Sequence, residues 1–304
     1  MFKELDVLLQ ESKALLGFNY HILVEEPMSQ FKEKIKNGTI DEAGSIANKI
    51  LYAVKRMSYF ELHKSMSYLF LEILSNAGGT KYIASIHMQL AVSYDMEKDF
   101  ASAEKHFHAG VKFITPIAET GDKDAILFLA SLWYNRTQQS RNNESAQDQI
   151  CYAETALKLY EQINNRRGIF LCLNCMAEYL EKSAYAERMQ LYKRAEVEAV
   201  AMNDIGIIEL SRFNMGKCEV ENGNYELGIK MMESSAMQLE KLVSWRYAAL
   251  AKLDLAEAYI QKGEFAKAAR ECDLAEKIFL KDGISVYDEK LEQLRTKAAL
   301  KNEL

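Results

Sequence analysis

Proline is almost missing from this chain: its 304 residues contain only Pro27 and Pro116. Sheets and turn-rich folds need such breakers, so their scarcity beside plentiful Ala, Leu, Glu, Lys, Met and Gln argues for long helices. No apolar run reaches the roughly 18–20 residues that a bilayer-spanning helix needs. The opening stretch, MFKELDVLLQESKALLGF, lacks a basic flank and a small-residue cleavage site and sets acidic residues inside its apolar pattern. It reads as an amphipathic helix and not a signal peptide, and the expected location is the cytoplasm, with no membrane partner. A continuous Lys/Arg block is absent as well, and the net charge is −6. Direct nucleic-acid binding is therefore not expected, the more so because the first 75 residues hold no basic recognition helix.

Chemical motifs are equally scarce. There is no Gly-rich phosphate loop, no G-x-S-x-G, no H-E-x-x-H and no carboxylate pair in a distinguishing context, so nothing supports autonomous catalysis or a cofactor. The five cysteines fall at 151, 172, 175, 218 and 272, an odd number inside helical patterns, and buried reduced thiols account for them. Cys172 and Cys175 form a C-x-x-C, but no second Cys/His pair stands at zinc spacing. His106 and His108, two apart on a helix, turn to nearly opposite sides and suit no shared metal. His87 precedes Gln89 by two residues, at a groove edge or simply in the structure, while His21 and His63 have no evident partner.

What the chain does contain is a repeat. LWYNRTQQS, LCLNCMAEY, RFNMGKCEV and KLDLAEAYI align without gaps on Asn135, Asn174, Asn214 and Asp254, spaced 39, 40 and 40 apart. An earlier copy, HMQLAVSYD, places Gln89 46 residues before Asn135. A period near 40 marks a helical solenoid. In the last copy Ala256 and Tyr259 are followed by Gly263 in a turn and then by Phe265, Ala268 and Ala275. The copy before it has Gly216, Gly223, Tyr225, Gly228 and Ser235, and the copy at Gln89 has Ala91, Tyr94, Phe100, Ala103 and Gly110. Small residues let paired helices approach, aromatics fill the space between repeats, and glycine permits the left-handed turn.

This pattern resembles the tetratricopeptide repeat over roughly residues 80–280. It departs from the usual period of about 34 residues, and the proline usual near the end of the second helix is missing. Linkers such as AETGDKDAI, INNRRGIF and AMNDIGII lengthen the helices instead. The longer variant resembles repeats of the bacterial peptide-pheromone receptors of the RRNPP group, including the Rap phosphatase regulators, and those of kinesin light chains and the MalT-type regulators. The expected fold is all-α, a right-handed superhelical solenoid of antiparallel helix pairs. Residues 1–75 form N-terminal helices, as a small bundle or as degenerate repeats; 76–283 form the repeats; 284–304 supply a polar capping helix.

In each first helix the aligned polar residue precedes the close-packed position by two, about 200° around the axis, and so points away from the partner helix. Gln89, Asn135, Asn174, Asn214 and Asp254 should then form a polar ladder along an inner groove. An asparagine amide offers both a donor and an acceptor to an extended peptide backbone. Neighbours expected on the same face are Met88, Tyr134, Phe170, Leu173, Leu210 and Phe213, with Gln138, Arg141, Lys217 and Glu257 available for side-chain or end recognition. In the receptors that these repeats resemble, first-helix asparagines hold a short imported peptide, which implies that role for Asn135, Asn174 and Asn214, while Asp254 departs. The expected function is a regulatory module binding a peptide or extended protein segment, of the quorum-sensing receptor kind, with a protein effector not identified. The alternative is a constitutive scaffold joining proteins. Homodimerisation stays open.

Overall fold

The computed structural model describes residues 2–17, 20–57, 59–138, 144–242, 245–282 and 288–300. Among them are fifteen α-helices and no strand. They are α1 Lys3–Leu16, α2 Glu26–Lys36 entered through a π-helical turn at His21–Glu25, α3 Ile40–Arg56, α4 Phe60–Asn76, α5 Tyr82–Met96 and α6 Phe100–Ala118. There follow α7 Lys123–Thr137, α8 Ala146–Gln162, α9 Arg166–Tyr179, α10 Tyr185–Ala201, α11 Ile205–Glu221, α12 Tyr225–Lys241, α13 Trp245–Lys262, α14 Phe265–Asp282 and α15 Asp288–Leu300. Helices α5 and α6, α7 and α8, α9 and α10, α11 and α12, and α13 and α14 pack pairwise, which is the helical-repeat fold that the 40-residue period implied.

Each turn has a local cause. The residue two before the second helix of a pair adopts a left-handed conformation at Gly223 (φ 89°) and Gly263 (φ 87°), where glycine carries no steric cost, but also at Lys98 (φ 63°). Between pairs, Gly121, Asn164 and Asn203 do the same (φ 87°, 53° and 53°). Asp122, Asn165 and Asp204 then cap the next helix, accepting from Ala125, Gly168 and Ile207 amides. The linkers expected to lengthen the helices are thus the turns themselves. Pro116 lies in the last turn of α6, so one repeat does keep the late proline.

The chain divides into two compact units, Met1–Asn164 and Asn165–Leu304. In the first, one apolar cluster runs from Leu5 through Phe31, Val54 and Phe70 to Leu90, so α1–α4 share their core with α5. In the second, Gly216 and Gly228 bring α11 and α12 into backbone contact: a Cβ on Gly228 would stand 2.5 Å from the Gly216 carbonyl oxygen. Helix α15 covers the last pair by burying Leu291, Leu294 and Ala298 against the core of α13 and α14.

Candidate functional site

In the second unit the first helices α9, α11 and α13 bring Asn174, Asn214, Lys217 and Asp254 together. The Asn214 amide donates to Asn174 Oδ1 at 2.9 Å, and the Asn174 amide donates to the Phe170 carbonyl at 3.0 Å. Asp254 receives two lysines, Lys217 at 3.4 Å and Lys290 of α15 at 2.8 Å, and Lys290 also stands 4.0 Å from Glu257. Burial works against the Lys217 ammonium, but Asp254, Glu178 and Glu221 outweigh it and raise its pKa above the usual lysine range. Glu178 reaches solvent, yet enclosure by its neighbours lifts its carboxyl pKa despite the opposing pull of Lys217.

Helical spacing sorts this face into three rows. Leu171, Leu210 and Leu250, all partly exposed, stand one turn before the amide row, and Glu178, Lys217 and Glu257 stand one turn after it. The strip therefore offers an apolar edge, an amide and carboxylate middle and a charged edge. An amphipathic extended segment matches that order.

The ladder differs from the expected row of free side chains. Asn174 is 8% exposed and Gln89 7%. Neighbouring first helices lie close enough for successive rungs to hydrogen-bond one another, which withdraws them from solvent. Asn214, Asp254, Lys217 and Glu257 keep more of their surface. Phe213 and Leu173 are corrected outright: they are 3% and 0% exposed and belong to the core, because one residue along a helix turns the side chain by about 100°; Phe170, one turn before Asn174, is 2% exposed and is a core residue too.

In the first unit the sequence missed a rung. Gln89 donates to Asn48 of α3 at 2.7 Å, 41 residues earlier, and Ser85 donates to the same oxygen at 2.8 Å. Gln89 Oε1 also meets His63 Nε2 at 3.3 Å, and His63 Nδ1 meets Ser93 at 3.4 Å, so His63 has the partners it lacked in the sequence. Asn135 is partly exposed in the last turn of α7, its amide bonded to the Ser131 carbonyl at 2.7 Å and to the Met88 sulfur at 3.2 Å. Tyr134 beside it is half-buried, and Gln138 caps the helix with its amide 3.1 Å from Thr137 Oγ1. Arg141 lies outside the described residues.

His106 pairs not with His108 but with His87, Nδ1 to Nδ1 at 2.9 Å, while Tyr68 bonds its Nε2 at 3.0 Å. Burial depresses the pKa of all three enclosed histidines, His63 and His87 to about 4, so they are neutral near pH 7. Among the described residues no three His, Cys, Asp or Glu side chains converge for a metal, and no helix is long and apolar enough to cross a membrane. A cleft of about 660 Å³ opens elsewhere in the second unit, lined by Glu196 of α10, Arg212 and Met215 of α11, and Met231, Ser234 and Gln238 of α12. Arg212 precedes Asn214 by two residues, so the cleft lies on the side of α11 away from the amide strip.

Neither a family profile nor a curated protein sequence matches the chain. Its fold is similar to that of a Rap protein solved in complex with competence and sporulation factor, at 17% identity and TM-score 0.57 over 90% of this chain and 80% of that one. It is similar to aspartyl phosphate phosphatase F from Bacillus subtilis, at 15% identity and TM-score 0.55 over 89% and 78%. A signal transduction ATPase with a tetratricopeptide repeat sensor from Pyrococcus horikoshii matches at 16% identity and TM-score 0.63 over 97% of this chain but 47% of its own length, so this chain spans about half of it. The chain thus has a tetratricopeptide-like, Rap-like helical repeat fold.

Proposed function

We propose that this chain is a regulatory module that binds a peptide or an extended protein segment on the strip formed by α9, α11 and α13. The observation that carries the reading is the succession of apolar, amide and charged rows on that face, with Asn174 and Asn214 at its centre. A ligand backbone would exchange its own N–H and C=O groups for the Asn174–Asn214 bond. Each exchange contributes about 0.5–1.5 kcal/mol net. A micromolar complex requires about 8 kcal/mol in all, so the amides set register, and the leucine row with the charged row supplies most of the affinity.

The fold likeness to a Rap protein solved with competence and sporulation factor supports a finer version, in which the ligand is a short signalling peptide and the output is contact with a protein effector. The cleft at Arg212, on the other side of α11, is a surface that such an effector could use while the strip is occupied. Under the second reading, a constitutive scaffold, the strip would take segments of folded partners and no free peptide. Fluorescence anisotropy against a library of short linear peptides separates them. Saturable binding of a free peptide is expected; a library without a binder favours the scaffold.

A further inference from the structure

One repeat buries polar groups where its neighbour buries alanine. Counted at the 40-residue offset, Glu209, Ser211 and Ser235 of α11 and α12 stand where α13 and α14 have Ala249, Ala251 and Ala275, and all six are more than nine-tenths buried. A carboxylate or hydroxyl in the place of a methyl is costly unless hydrogen bonds compensate it. Glu209 accepts from Arg212 at 3.0 Å. Ser211 Oγ has no partner. Ser235 lines the 660 Å³ cleft with 2% of its surface exposed, and its hydroxyl makes no hydrogen bond among the described residues.

The same offset explains why the cleft is open in this repeat. Lys252 of α13 spans Glu240 of α12 and Glu271 of α14, at 2.9 and 3.3 Å, with 12% of its side chain exposed. Its counterpart is Arg212, and the counterparts of the two carboxylates are Val200 and Met231. Without them Arg212 turns to Glu196 of α10 at 2.8 Å and to Glu209, its side chain 48% exposed, and Met231 and Met215 are left as an apolar wall. One guanidinium then serves two carboxylates, each with more acceptor sites than Arg212 fills. Lys230 at the mouth stands one turn from Glu226 and from Glu233 on its own helix and borders a second cleft with them, so its charge is shared with that side of α12.

We propose that this cleft binds an organic cation, a protonated amine or guanidinium on an apolar stem, with the cation at Glu196 and Glu209, the stem against Met215 and Met231, and Ser235 Oγ as a further acceptor. Its volume suits such a ligand, since small-molecule sites span about 300–1,000 Å³. Lys252 shows the arrangement within the chain itself: an enclosed stem whose ammonium meets carboxylates from two successive second helices. A free amine and a basic side chain of a partner protein share this chemistry. The cleft has no residue in common with the amide strip, so the two readings fail separately.

The full chain, labelled with ¹³C at its methionine methyls, is titrated at neutral pH with hexylamine, hexanol and hexanoate. Hexylamine should shift the Met215 and Met231 signals saturably, while hexanol and hexanoate leave them in place at the same concentrations. Glu209→Gln and Glu196→Gln should each weaken hexylamine binding about tenfold or more. Glu196 is half-buried on α10, so its variant keeps the test open if Glu209→Gln does not fold. A lysyl-leucine dipeptide blocked at both ends that binds more tightly than hexylamine identifies a partner's side chain as the ligand; the reverse order identifies a free amine. Equal responses to the three hexyl compounds, no response at Met215 and Met231, or unchanged affinity in Glu196→Gln overturns the proposal.

Discussion

The Asn214 amide donates to Asn174 Oδ1 across 40 residues of sequence, joining the first helices of two successive repeats at 2.9 Å. Because Asn174 is buried, Asn214→Ala strands an acceptor out of water and should destabilise the fold by about 1–3 kcal/mol. Asn174→Ala with Asn214→Ala should lose less than the sum of the single losses, with a coupling of about 0.5–3 kcal/mol. Urea denaturation of the four proteins measures it, and additive losses would show that the bond contributes nothing.

Lys98 occupies the left-handed position that Gly223 and Gly263 fill in the equivalent turns. Replacing it with glycine removes a backbone cost of about 1–2 kcal/mol and returns part of that through the freer unfolded chain, for a net gain of about 0.5–1 kcal/mol. Gly223→Ala should move stability in the opposite direction. Thermal unfolding of the two variants gives both signs.

Gly228→Ala would set a methyl 2.5 Å from the Gly216 carbonyl and 2.7 Å from the Val220 amide nitrogen, both backbone atoms that cannot turn aside. A loss of about 3 kcal/mol is expected, at the upper end for overpacking. Gly206→Ala meets nothing closer than 3.4 Å and should be neutral or stabilising by up to about 1 kcal/mol through helix propensity. Chemical denaturation of the pair separates close packing from propensity.

These glycines also show where the sequence was legible. The 40-residue period located α9–α14 because Gly216, Gly223, Tyr225 and Gly228 recur in size class at the same offsets as Ala256, Gly263, Phe265 and Ala268. Asn48 escaped because α4 begins twelve residues after it, where the other rungs precede their second helices by eleven, and no glycine marks the turn between α3 and α4. The facing of Asn214 followed from helical angle alone. That the Asn214 amide would be spent on Asn174 of α9, and the Gln89 amide on Asn48 of α3, did not, because it depends on how closely neighbouring first helices lie, and a periodicity carries no interaxial distance. Phe213 was misplaced for a simpler reason: sequence adjacency to Asn214 is a third of a turn, not a shared face.

Acid should weaken the first unit. His63 and His87 have pKa values near 4 in the folded chain, below the 6.5 of an exposed imidazole, and His106 is lowered too. Between those limits the unfolded chain binds more protons, so unfolding free energy falls as pH drops from 6.5 toward 4, by up to about 1.4 kcal/mol per pH unit for each histidine. The His87–His106 contact in particular needs one ring nitrogen to accept, which a doubly protonated pair cannot provide. His87→Asn should flatten the pH dependence measured by urea denaturation; an unchanged slope would mean that His87 takes no part.

The strip on α9, α11 and α13 is tested most directly by the affinity of the best library peptide for wild type and for Asn174→Ala/Asn214→Ala, at matched helicity by circular dichroism. The account predicts at least about tenfold weaker binding by the double variant, a difference of about 1.4 kcal/mol or more. Equal affinities would contradict it and place the ligand elsewhere on the chain.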